Sequence, residues 1–138
     1  VGTGPLVGQE RAQAAYEWVR EAVPTKQGPF LQALFIAVHE ENAEPGDATT
    51  IALAARLAGL DPDLVTDAEI DGEGRRLLEI STREGLELGV VAVPSVYRLG
   101  PVLLVRTTGA VVRDRATDRL EIINRMLEDD GLWELRKP

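Results

Sequence analysis

The chain has 138 residues, 44% of them apolar and 28% charged, a length and composition that support one soluble globular domain rather than two. It has no cysteine and a single histidine, which excludes disulfides, thiolate metal sites, a thiol nucleophile and a His-rich metal site within these residues. The net charge of −8 is uneven, −9 over residues 1–89 and +1 over residues 90–138, so no nucleic-acid partner and no anionic membrane partner is expected; a solvated acidic surface is the simplest reading.

Residues 1–8, Val-Gly-Thr-Gly-Pro-Leu-Val-Gly, are rich in breakers and read as a loose lead-in. Gln9 to Val23 predicts a helix with Ala12, Ala15, Tyr16 and Val19 on one side, stopped by Pro24. Phe30 to Asn42 predicts a second, on which Phe30, Leu31, Leu34, Phe35 and Val38 form a wide apolar stripe. After the break at Pro45-Gly46, Asp47 caps a third helix, Ala48 to Ala58, which Gly59 ends. Ile51, Leu53, Ala54, Ala55, Leu57 and Ala58 make it apolar almost all round, which predicts a central position. Asp61-Pro62, an N-cap followed by proline, opens a short fourth helix. Asp71 to Leu88 predicts a fifth, with Leu77, Leu78, Ile80 and Leu88 as its apolar members and Gly72 and Gly74 weakening its first turn.

Next comes an apolar stretch, Gly89 to Tyr97, holding Pro94 where a strand should begin. A proline cannot donate to a ladder and belongs at the first residue of a strand, an edge or a bulge. Two short strands follow, Ser95 to Arg98 and Val102 to Arg106, around a turn at Leu99-Gly100-Pro101. Asp118 with Glu121 makes a capping-box-like start to a last helix, whose inner face is Leu120, Ile123 and Leu127 backed by Ile122 and Met126. Gly131 ends it, and the tail from Leu132 to Pro138 is apolar enough to dock. A lone two-stranded ribbon is marginal in water, so these strands call for more strands or a partner. No uncharged apolar run is long enough for a transmembrane helix and no signal-peptide pattern is visible, so a cytoplasmic protein is expected. The chain begins at Val1 rather than Met, which fits a processed, trimmed or partial product.

Three segments in this order carry a family resemblance. They are Phe30-Leu31-Gln32-Ala33-Leu34-Phe35-Ile36-Ala37, the run from Leu53 to Asp61, and Gly89-Val90-Val91-Ala92-Val93-Pro94-Ser95. Together they resemble the DsbA-like family, in which a helical domain is inserted into a thioredoxin fold between a β-α-β half and a β-β-α half. Gly100-Pro101-Val102-Leu103-Leu104 and the run from Leu132 to Lys137 are similar to an actinobacterial branch that includes mycothiol-dependent nitroreductase-like proteins. The resemblance implies an α/β fold of thioredoxin-like, DsbA type, with a helical insertion-type subdomain over residues 1–88. A C-terminal β-β-α half with a partial sheet would then cover residues 89–138.

In such a fold Pro94 is cis and lines the substrate site, and Val93 presents its backbone to a bound thiol or disulfide. Val93, Pro94 and Ser95 are therefore the implied substrate-binding residues; Ser95 stands where the family commonly has Thr. On local sequence alone, an ordinary trans proline entering an edge strand stays equally open. The implied activity is thiol-disulfide oxidoreduction, with a small-molecule thiol or disulfide as substrate. The family's Cys or Ser nucleophile, at the start of its first helix, has no counterpart here. No cofactor is expected in this chain itself, and a low-molecular-weight thiol, mycothiol or glutathione, is implied for the parent protein. Two alternatives stand beside this reading. One is a non-catalytic binding or assembly module that completes its sheet with a partner chain or as a homo-oligomer. The other is a kappa-class glutathione transferase or isomerase-like protein.

Other residues weigh less. His39, followed by Glu40 and Glu41, reads as a solvated helix-face histidine before it reads as a general base. With one histidine to serve them, Ser81 and Ser95 form no Ser/His/Asp pattern. Glu128-Asp129-Asp130 lies at a helix C-terminus, where the dipole disfavours it, and lacks a spaced oxygen-ligand loop. Asp61 and Asp63 read as capping, Gly100-Pro101 and Thr108-Gly109 as turns, and Trp18 and Trp133 as core or interface packing before ligand stacking.

Overall fold

The structure is a computed structural model that describes residues 4–90, 95–97, 102–104 and 115–128. The chain divides into two compact units, Val1–Arg83 and Glu84–Pro138.

In the first unit, α1 (Gly8–Ala22) is followed by a 3-10 turn, Pro24–Lys26, and α2 (Gln27–His39). Then come α3 (Ala48–Leu57) and a second 3-10 turn, Pro62–Leu64. A last helical run consists of α4 (Asp67–Glu69), a π turn (Ile70–Gly74) and α5 (Arg75–Glu87), which crosses into the second unit. α2 begins before Phe30 because Pro29 sits in its first turn, where a helix has no partner for the amide that proline lacks. At its far end the amides of Glu40 and Glu41 both reach the Ile36 carbonyl, at 2.9 and 3.2 Å. The Ala43 amide reaches the Ala37 carbonyl at 2.9 Å across Asn42, whose φ is 55°. α3 closes in a Schellman motif: Gly59, at φ 73°, donates to the Arg56 carbonyl and Leu60 to that of Ala55. That turn carries Leu60 into the core.

The core is helix on helix. Phe30, Ile51, Ile70 and Val19 are its largest buried side chains, joined by Leu6, Leu34, Leu60, Val65, Leu78 and a set of alanines. α2 packs on α3, and α1 packs on both α2 and the π turn. The sequence pattern overstated how central α3 is. Its Ile51, Ala54, Ala55 and Ala58 are buried, whereas Leu53 and Leu57 are 40% and 67% exposed, because the helix meets its neighbours along one face only. The short fourth helix is a single 3-10 turn, with the Asp61 carboxylate accepting from the Asp63 amide at 3.0 Å. The fifth starts earlier than expected because the Thr66 hydroxyl accepts from the Glu69 amide and opens the run at Asp67.

In the second unit α5 ends in another Schellman motif at Gly89, φ 83°, with Val90 donating to the Gly85 carbonyl. β1 (Ser95–Tyr97) and β2 (Val102–Leu104) pair antiparallel, Ser95 opposite Leu104 and Tyr97 opposite Val102. α6 (Ala116–Glu128) starts ahead of Asp118, which therefore lies in its first turn rather than at its cap. Its buried stripe is narrower than expected. Leu127 is buried and Ile123 and Met126 half-buried, but Leu120 and Ile122 are exposed.

The α/β, thioredoxin-like expectation does not hold. The described residues are predominantly helical, and β1 and β2 form a lone ribbon of two three-residue strands. The physical reason lies in what the apolar stripes cover. In the first unit the stripes of α1, α2 and α3 are spent on one another and on the π turn, and no sheet forms a layer of that core.

Candidate functional site

A groove of about 280 Å³ runs between α1 and α2. One wall is Gln9, Ala12, Gln13 and Tyr16, the i, i+3, i+4, i+7 stripe of α1. The other is Leu31, Leu34, Phe35, Val38 and His39, which share one face of α2, and Pro45 closes an end. Ala12 leaves space where a larger residue would fill the gap between the helices. Phe35 is 56% exposed, and its ring centroid lies 5.3 Å from that of His39, the planes tilted by 44°.

The Pro45 end is held by a contact that only glycine permits. A Cβ on Gly46 would lie 2.5 Å from the Gly8 carbonyl oxygen and 2.6 Å from its nitrogen. The loop after α2 thus sits directly on the backbone at the start of α1. The result is an apolar slot with a few polar groups at hand: two amides, the Tyr16 phenol and the His39 imidazole. That mix suits a small, mostly apolar ligand oriented by few hydrogen bonds.

Glu40 and Glu41 follow His39, Glu44 precedes Pro45 and Glu10 follows Gln9, and all four are exposed. No lysine or arginine lines the groove. On α1, Arg11 pairs with Asp67 and lies 3.7 Å from Asp71, on the stripe roughly opposite the groove. Trp18, on that same stripe, donates its indole N–H to Glu69 at 3.0 Å. Arg20 donates to the Ser81 hydroxyl at 3.2 Å and sits 2.6 Å from the Glu17 carboxylate. Glu17 is buried, and the Arg20 ion pair rather than a well-aligned hydrogen bond holds its Oε2.

Of the residues singled out in the sequence, Val93 and Pro94 lie outside the described residues, as do Trp133, Asp129-Asp130 and the Thr108-Gly109 turn. Ser95 opens β1, half-buried and opposite Leu104. Ser81 accepts from Arg20, and Trp18 packs against the core as its default reading had it. His39 is exposed on its helix face, and it also borders the groove. The groove itself escaped the sequence reading. Its one local signal is the polar-small-polar-aromatic stripe Gln9, Ala12, Gln13, Tyr16 facing an apolar stripe.

Among the described residues no group of three His, Asp or Glu side chains is placed to hold a metal ion. Among the same residues no helix is long and apolar enough to cross a membrane. Compared with known proteins, the chain matches no protein-family model and no curated protein.

Proposed function

We propose that this chain is a non-catalytic binding module whose recognition surface is the α1–α2 groove. The observation that carries the reading is the groove's make-up: an apolar slot of about 280 Å³ with Tyr16, Phe35 and His39 along it and Gln9 and Gln13 at hand for orientation. A cytoplasmic setting is part of the same proposal. Thiol-disulfide chemistry of the kind the family resemblance implies would need a nucleophile from outside these 138 residues, because they contain no cysteine.

A titration with a small apolar aromatic such as indole, followed by NMR, tests the reading. The expected result is a saturable, single-site shift of the Tyr16 and Phe35 ring resonances that is lost in Ala12→Leu, which fills the slot. Phe35→Ala, at an exposed position, provides a second variant that leaves the core untouched. Shifts spread evenly over the exposed leucines, or undiminished in both variants, would refute the groove as the site.

A further inference from the structure

We propose that the groove takes an uncharged, elongated amphiphile: an apolar body about 10 Å long with a hydroxyl or amide head at one end. This inference rests on the binding-module reading and adds the ligand's class and its direction in the slot. Polar and apolar residues are unevenly distributed along the groove, and that distribution carries it.

The two walls run in opposite directions. Only Val23 and the Pro24–Lys26 turn separate the end of α1 from the start of α2. At the other end the start of α1, at Gly8, lies against Gly46 in the loop after α2. Gln9 therefore shares one end of the groove with His39 and Pro45, and Tyr16 shares the opposite end with Leu31. Tyr16 lies two helical turns beyond Gln9, so the slot between these ends is about 10 Å long.

Polarity and burial change together along that length. At one end Gln9, Gln13 and His39 are all exposed. Towards the other, Ala12 and Leu34 are buried and Tyr16 and Leu31 half-buried. A body inserted towards Tyr16 and Leu31 is taken out of water, whereas a head beside the glutamines stays at the open end.

The lining sets the chemistry of the head. Among the described residues that line the groove there is no Asp, Glu, Lys or Arg. The groups at the open end are two carboxamides and an imidazole, whose ring lies 5.3 Å from that of Phe35. Carboxamides and a neutral imidazole both donate and accept, and a hydroxyl or amide head can use them in either sense. An ammonium only donates and finds no carboxylate in the lining. A carboxylate only accepts, and its one candidate counter-charge, His39, is exposed to solvent that screens it.

Three probes that share one alkyl chain and differ at the head test this on the full chain: 1-heptanol, heptanoate and heptylammonium, at about pH 8, where an imidazole is ordinarily neutral. 1-Heptanol is expected to half-saturate the shifts of the Tyr16, Phe35 and His39 rings at a concentration about fivefold below that of either ion, the worth of one hydrogen bond. Intermolecular NOEs are expected from its terminal methyl to the Tyr16 ring and from its C1 methylene to the His39 ring. The double variant Gln9→Ala, Gln13→Ala, altered only at exposed positions, is expected to weaken 1-heptanol about fivefold. An ion that binds as tightly as the alcohol, NOEs in the reverse sense, or a double variant that binds 1-heptanol unchanged would overturn the amphiphile inference. If none of the three moves these rings while indole still does, that inference falls and the groove remains a binding site; if indole fails as well, both fall.

Discussion

The two faces of α1 make opposite kinds of contact with alanines only two residues apart. On one face Arg11, Ala14 and Trp18 meet the α4–π–α5 run; on the other Gln9, Ala12, Gln13 and Tyr16 border the groove. Ala14 faces Gly74, and the approach is so close that a Cβ on Gly74 would lie 2.6 Å from the Ala14 carbonyl oxygen. Backbone meets backbone there and no space is left. Ala12 faces the leucine and phenylalanine row of α2, whose side chains hold the helices apart and leave a slot. A small residue therefore makes a tight contact only when its opposite number is small too. When the opposite number is large, the same residue makes a cavity.

The sharpest test places the same bulk on both faces. Ala14→Leu is expected to destabilise by about 2–3 kcal/mol, since overpacking a filled contact displaces backbone. Ala12→Leu is expected to stay within about 1 kcal/mol of the parent, because it enters existing space and buries apolar surface. Urea midpoints at constant m-value decide it, and equal losses would erase the contrast.

A second pair reads the π turn itself. Gly74→Ala is expected to cost about 1–3 kcal/mol by driving a methyl into the Ala14 carbonyl. Gly72→Ala, with nothing within 4 Å of its added Cβ, is expected to gain up to about 1 kcal/mol from a less flexible unfolded chain. Thermal or urea unfolding should show opposite signs, and the same sign for both would mean that the π turn is not seated as described.

The polar part of that contact matters less. Arg11→Gln removes the pairing with Asp67 and Asp71; Arg11 is 13% exposed, but Asp67 is 76% exposed, so solvent screens the pair. A loss of about 1 kcal/mol or less is expected, shrinking as salt is raised. A salt-independent loss would point to packing of the Arg11 stem instead.

The smallest effect lies in the surface pair that follows the π turn's middle. Two hydrogen bonds from Arg76, at 2.5 and 2.7 Å, hold the Glu73 carboxyl below the ordinary glutamate range. A depressed carboxyl contributes stability above its unfolded value and loses it as pH falls through the folded one. Glu73→Gln should therefore differ from the parent slightly at neutral pH and converge with it in acid. A difference that grows in acid would reverse that assignment.

Much of the helical order was readable in the residues. α1 and α3 lie within one residue of where apolar spacing and the breakers Pro24, Asp47 and Gly59 put them, because those signals are local. The start at Thr66 was also written locally, as a threonine with a glutamate three residues on, but Gly72 and Gly74 are poor helix formers and mask the helical pattern that follows it. The need for glycine at 74 could not be read locally, since it arises from the Ala14 carbonyl, far away in the chain. The exposure of Leu57 and Leu120 likewise depends on which side of each helix its neighbours occupy. The fold class was misjudged for a related reason. The α/β expectation followed from a resemblance of short segments; Pro94 and the turn at Leu99-Gly100-Pro101 do mark a ribbon, but such local signals are the same whether a ribbon stands alone or inside a larger sheet. Of the expected site, Val93 and Pro94 lie outside the described residues, and the groove drew its walls from two helices that neither stripe alone reveals.

What the sequence determined by itself was therefore one-dimensional: where helices start and stop, which residues are apolar, and that no cysteine is present to act as nucleophile. Those properties follow from dihedral preferences and hydrogen bonding within a few residues. Tertiary structure alone decided which stripe meets which. By setting Ala14 against glycine and Ala12 against a leucine–phenylalanine row, it made one side of α1 a sealed contact and the other an open groove.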